Sequence, residues 1–117
     1  MDFVTSMQRN LTTRAYAEFS GRASRAEYWW FTLGTLLLTA AAGVLDAALP
    51  GDILGSLLSI FLFVPGLAVA VRRLHDTNRS GKYLFLLLIP IAGWIVLLVF
   101  FATRGEAKAN SYGPATK

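Results

Sequence analysis

Between Tyr28 and Val71 the chain carries no lysine or arginine, and between Tyr83 and Thr103 it carries no charge at all. A soluble domain of 117 residues has too little interior to bury stretches of that length. Hydrocarbon is the simpler solvent for them, provided each segment satisfies its own backbone hydrogen bonds as a helix. Composition agrees: 15% of residues are charged, against roughly 25% in an average soluble domain. The expectation is a single all-α membrane domain.

Residues 24–49 are the first expected span. Ser24-Arg25-Ala26-Glu27 reads as a capping box, with the Ser24 hydroxyl accepting from the Glu27 amide and the Glu27 side chain reaching back. Tyr28-Trp29-Trp30 is an interfacial aromatic cluster, and Pro50-Gly51-Asp52 ends the helix. The second span, 53–71, has about 19 residues and a length of roughly 28 Å, close to a hydrocarbon core. Pro65-Gly66 predicts a kink within it. A basic loop, 72–82, leads to a third apolar stretch, 83–102, interrupted by Pro90-Ile91-Ala92-Gly93. We read that stretch as a third span. The alternative is a re-entrant hairpin turning at Pro90 to Gly93, which needs cover from neighbouring helices because irregular backbone cannot face lipid. Ahead of the spans, residues 1–19 place Phe3, Met7, Leu11 and Ala15 on one stripe, as in an amphipathic helix lying in the headgroup layer. A polar tail, 103–117, closes the chain.

Arg9, Arg14, Arg22 and Arg25 precede the first span, and Arg72, Arg73, Arg79 and Lys82 follow the second. The turn at Pro50 has no cation. The positive-inside rule therefore puts the N-terminus and the basic loop in the cytoplasm. A third span would carry Arg104, Lys108 and Lys117 to the far side, against that rule. The net charge of +4 belongs to these flanks and meets anionic phospholipid headgroups of the bilayer. No basic run interleaves with exposed aromatics, as nucleic-acid binding requires. The chain has no cysteine, which excludes disulfides and thiolate chemistry. With one histidine it also lacks the three or four ligands of a zinc site. No metal or other cofactor is expected.

Two arginine motifs stand out. Phe19-Ser20-Gly21-Arg22-Ala23-Ser24-Arg25-Ala26-Glu27-Tyr28-Trp29 resembles an F-x-G-R-x-x-R-x-E-Y-W signature, and Arg72-Arg73-Leu74-His75-Asp76 with Ser80-Gly81 resembles R-R-L-H-D-x-x-x-S-G. Ile89-Pro90-Ile91-Ala92-Gly93-Trp94 and Asn110-Ser111-Tyr112-Gly113-Pro114 add to the likeness. Together they resemble the bacterial inner-membrane family catalogued as domain of unknown function 805. The resemblance implies a multi-span protein of the bacterial inner membrane and supplies no activity.

The candidate site gathers Arg22, Arg25, Glu27, Arg72, Arg73, His75 and Asp76 where the first span opens and the second closes. One reading is a folding cluster in which Glu27 and Asp76 neutralise Arg25, Arg72 or Arg73. The other is a site for a lipid phosphate or similar anion, with Arg22, Arg72 and Arg73 as donors. Catalysis by His75 with Asp76 is disfavoured, because adjacent helical residues point about 100° apart. Ser80-Gly81-Lys82 lacks the full phosphate-loop pattern. Asp46 is either an interfacial carboxylate or an intramembrane proton or ion site. Gly43, Ala47, Gly55 and Ser59 form a small-residue face suited to close helix packing. A bundle this thin has little interior, so the expected role is a non-enzymatic interaction or accessory subunit, as a homo-oligomer or within a larger membrane complex. The alternative is an oligomeric channel or transporter protomer, and a lipid-headgroup-modifying enzyme comes third.

Overall fold

The computed structural model describes residues 2–51 and 53–114, with backbone alone at Arg14 and Ala15. The expectations for Ala15, Asp52 and Lys117 lie outside the described residues or side chains. Among the described residues four α-helices appear in the order α1 (Phe3–Thr12), α2 (Arg25–Ala48), α3 (Ile53–Asp76) and α4 (Ala92–Ala102). Two 3-10 segments, Arg14–Ala17 and Gly81–Leu88, lie between them.

Helix α2 starts where its cap allows. The Ser24 hydroxyl accepts from the Glu27 amide at 3.1 Å, but Glu27 does not reach back; its carboxylate is used elsewhere. Helix α3 returns antiparallel, pairing Glu27 with Arg72 at one end and Asp46 with Leu54 at the other. It runs five residues past the expected boundary at 71, so the second arginine motif lies on its last turns rather than in a loop. A Schellman motif then ends it. Asn78 takes a positive φ of 60°, its amide bonds the His75 carbonyl at 2.9 Å, and the Arg79 amide bonds Leu74 at 2.9 Å.

Pro65 lies inside α3 and cannot donate to the carbonyl of Phe61. That carbonyl accepts instead from the Tyr16 hydroxyl at 2.7 Å, and the two rings pack 5.3 Å apart. The N-terminal segment is thereby tied to the orphaned group.

Helix α1 also departs from expectation. Its N-cap is Asp2, whose carboxylate accepts from the Thr5 amide at 2.8 Å; that bond holds the acid below its ordinary pKa. Its apolar stripe faces protein. Met7 and Leu11 pack on the core cluster of Ala23, Phe31 and Val69, and Phe3 meets Trp30 edge-on. Ser6 and Asn10, beside the stripe, are completely buried.

The third apolar stretch is a hairpin rather than one continuous helix, the form given above as the alternative to a third span. Among the described residues two helices, α2 and α3, are long and apolar enough to cross a membrane. Helix α4 has 11 residues, or roughly 16 Å, about half a hydrocarbon core. The 3-10 segment before it has eight residues, again roughly 16 Å at its larger rise per residue. The two arms lie side by side, with Tyr83 against Phe100 at 5.5 Å. Both pack on Ala70 and Leu74 of α3 through Leu97, Phe101, Leu84 and Leu86.

The hairpin meets the backbone cost locally. The Ala92 amide bonds the Pro90 carbonyl at 2.7 Å, a γ-turn about Ile91 at φ 65° and ψ −66°. Leu86, Ile89 and Ile91 carbonyls accept from Ile89, Gly93 and Ile95 amides. The Trp94 indole donates to Leu87 at 3.0 Å. The turn thus closes largely on donors of its own segment.

Elsewhere the surface is apolar: Val44, Ile60 and Leu88 are each more than 70% exposed. Exposed apolar surface so extensive calls for lipid or protein cover.

Candidate functional site

The start of α2, the end of α3 and the tail meet in a buried ionic knot with two halves. In the first, Glu27 Oε2 accepts from Arg72 Nη1 at 2.9 Å, Arg9 Nε at 3.1 Å and Asn10 Nδ2 at 3.2 Å. Arg72 Nη2 also donates to Asn10 Oδ1 at 2.6 Å, and its Nε to the Glu18 carbonyl at 3.0 Å. Ser6 Oγ donates to the Glu27 carbonyl at 2.7 Å. Helix α1 is thus fastened through polar groups on the flank of its apolar stripe.

In the second half, Asp76 joins two guanidiniums. Arg22 Nε donates to Oδ1 at 2.9 Å and Arg73 Nη1 to Oδ2 at 2.8 Å. The remaining Arg22 donors reach the carbonyls of Asp76, Glu106, Lys108 and Gly113 at 2.7 to 3.2 Å. All five of its N–H groups are then engaged. Arg73 caps the C-terminus of α4, donating to the Phe101 carbonyl at 2.8 Å and also to Thr103. Four arginines face two carboxylates here. The surplus positive charge sits among main-chain carbonyls at the C-terminal ends of α3 and α4, where the helix dipoles favour cations.

The tail is locked to the knot. Glu106 donates its amide to the Asp76 carbonyl at 2.9 Å. Asn110 Nδ2 bonds the His75 carbonyl at 3.0 Å. Tyr112 stacks on His75 with ring centres 3.9 Å apart and planes within 4°. His75 Nδ1 lies 2.9 Å from the Gly21 carbonyl.

The structure brings Arg22, Glu27, Arg72, Arg73, His75 and Asp76 together, and all are buried. Arg25 does not join them. It is exposed and makes one long contact, 3.4 Å to the Ala102 carbonyl; Arg22 takes the acid instead. Asp46 lies at the opposite end of the helix pair, where its two oxygens accept from the Leu54 and Gly55 amides at 3.1 and 2.8 Å. A carboxylate there caps α3 and complements its dipole. Asp46→Asn keeps one acceptor and loses the charge, and is accordingly expected to cost about 0.3 to 1 kcal/mol of stability, measured by SDS titration in detergent. Gly43, Ala47 and Ser59 are exposed, and Gly55 is half-buried beside Asp46; this face is not consumed by packing within the chain.

Sequence reasoning missed Ser6, Arg9, Asn10 and Tyr16 as site or tie residues. For Ser6 and Asn10 the available signal was their four-residue spacing beside the apolar stripe.

The fold and the knot define a small helical membrane protein whose cationic helix ends are joined by buried carboxylates. The chain belongs to the family described as Protein of unknown function (DUF805), which matches residues 16–114. It is 47% identical over 100 residues to Inner membrane protein YhaI of Escherichia coli strain K12, covering 84% of this chain and 85% of that protein. Inner membrane protein YhaH of the same strain is 38% identical over 123 residues, covering 100% and 98%. Uncharacterized protein YiiR is 36% identical over 86 residues, covering 68% of this chain and 53% of that protein. No solved structure matches the chain. The family match takes in both arginine motifs and the Asn110 to Pro114 tail. The α1 half of the knot precedes it.

Proposed function

We propose that the chain is a non-enzymatic interaction or assembly subunit of the inner membrane, acting as a homo-oligomer or within a larger complex. The observation that carries this is how the polar groups are used. Arg22 donates entirely to the protein's own oxygens, Arg72 and Arg73 are fully buried, and Glu27 and Asp76 are matched to them. What stays open is apolar surface and the outward Gly43 and Ala47. Asp46, engaged as a helix cap, lends no support to a transport path. His75, held against Gly21 and under Tyr112, lends none to a general base.

In this reading the two spans are α2 and α3, and the hairpin enters and leaves by the same face. All eleven lysines and arginines then fall on one side by sequence position, in full accord with the positive-inside rule. The N-terminus and tail are cytoplasmic.

Purified from native membranes in mild detergent, the chain is expected in particles larger than its monomer. The double variant Gly43→Leu, Ala47→Leu should return it to monomer size with helicity intact. A wild-type particle that is strictly monomeric, with no co-purifying protein, would contradict the proposal.

A further inference from the structure

The first arginine motif divides its labour. Arg22 and Arg25 stand three residues apart, yet Arg22 is buried with five hydrogen bonds and Arg25 is exposed with one at 3.4 Å. Below Arg25 on α2, Ala26, Trp29, Trp30 and Leu33 line an open notch of about 240 Å³. At 100° per residue, positions 25, 26, 29, 30 and 33 share one face about 140° wide. Small Ala26 leaves room between two indoles that are already held in place. Trp29 Nε1 donates to the Phe101 carbonyl at 3.3 Å, and Trp30 rests against Phe3. Both indoles remain more than a third exposed.

We infer that Arg25 and the notch bind one anionic phospholipid, its phosphate on the guanidinium and the start of an acyl chain between Trp29 and Trp30. The polarity order is that of the ligand: a cation at the aqueous end of the helix, then aromatic and aliphatic surface toward the bilayer interior. The under-used charge selects an anionic headgroup over a zwitterionic one. Glu27, the nearest acid in sequence, is already held by Arg9, Arg72 and Asn10 and does not compete. This inference rests on the membrane-spanning reading of α2 and moves the lipid contact away from the buried arginines.

The test is native mass spectrometry of the full chain, released from micelles holding equal phosphatidylglycerol and phosphatidylcholine. Retained phosphatidylglycerol should exceed phosphatidylcholine about fivefold, the worth of one cation at an anionic surface. Arg25→Gln should bring the ratio near one, and Arg25→Lys should keep most of it. Trp30→Ala should lower retention of both lipids. Added inorganic phosphate should leave the ratio unchanged, since the acyl chain is part of the ligand; displacement by it would indicate a free-anion site and overturn the inference. A preference that survives Arg25→Gln would overturn it, as would equal retention of the two lipids by the unaltered chain. Retention of neither lipid beside a bound protein would assign the notch to a protein partner instead. A chain that folds without any amphiphile would remove the membrane reading and this site with it.

Discussion

Replacing Asp76 by asparagine should destabilise the protein by about 3 to 5 kcal/mol, the range for breaking a buried ion pair by removing one partner. Asp76 is fully buried and holds Arg22 on one oxygen and Arg73 on the other. An asparagine has one acceptor oxygen, so one guanidinium would face an amide N–H2 instead. Asp46→Asn makes the comparison sharp. Both substitutions delete one charge near an end of α3, but Asp46 accepts only from two main-chain amides. Denaturation in mixed micelles should therefore show a severalfold larger loss for Asp76→Asn. Equal losses would mean that the knot contributes no more than a helix cap.

Gly93→Ala should cost about 1 to 2 kcal/mol, while Gly66→Ala should gain up to about 1 kcal/mol. Both glycines lie in helices, where alanine is the better residue by about 1 kcal/mol. The difference is the space beside them. A methyl group on Gly93 would overlap the carbonyl oxygen of Leu86 on the opposite arm, which is backbone and cannot move aside. On Gly66 it meets nothing within 4 Å. Overpacking of this kind typically costs 1 to 3 kcal/mol. Thermal unfolding in detergent, followed by helicity, should move in opposite directions for the two variants. If Gly93→Ala were neutral, the two arms of the hairpin would not be in contact.

Much of the scaffold was legible from local chemistry. Ser24 marked the start of α2 because its hydroxyl can cap only one position, and the long uncharged stretches marked α2 and α3. The composition of the knot was legible in part, because arginines and acids at two antiparallel helix ends have few other partners. The pairing was not. Arg22 and Arg25 differ by tertiary position alone, and periodicity cannot tell which reaches Asp76. The hairpin was left as the alternative for a physical reason. The cost of irregular backbone in lipid is real, but the sequence does not show that the Trp94 indole and a γ-turn at Ile91 meet it. The Tyr16 bond to Phe61 was hidden likewise: Pro65 announces an orphaned carbonyl, and only the fold says who takes it.

The hairpin and the knot together require that the tail return to the side from which the chain starts. The chain has no cysteine, so single cysteines placed at exposed Gln8, Leu49 and Ser111 can be probed with a membrane-impermeant thiol reagent in spheroplasts. Leu49→Cys should label in intact spheroplasts, and Gln8→Cys and Ser111→Cys only after lysis. Labelling of Ser111→Cys alongside Leu49→Cys in intact spheroplasts would separate the tail from the knot and contradict the structure described.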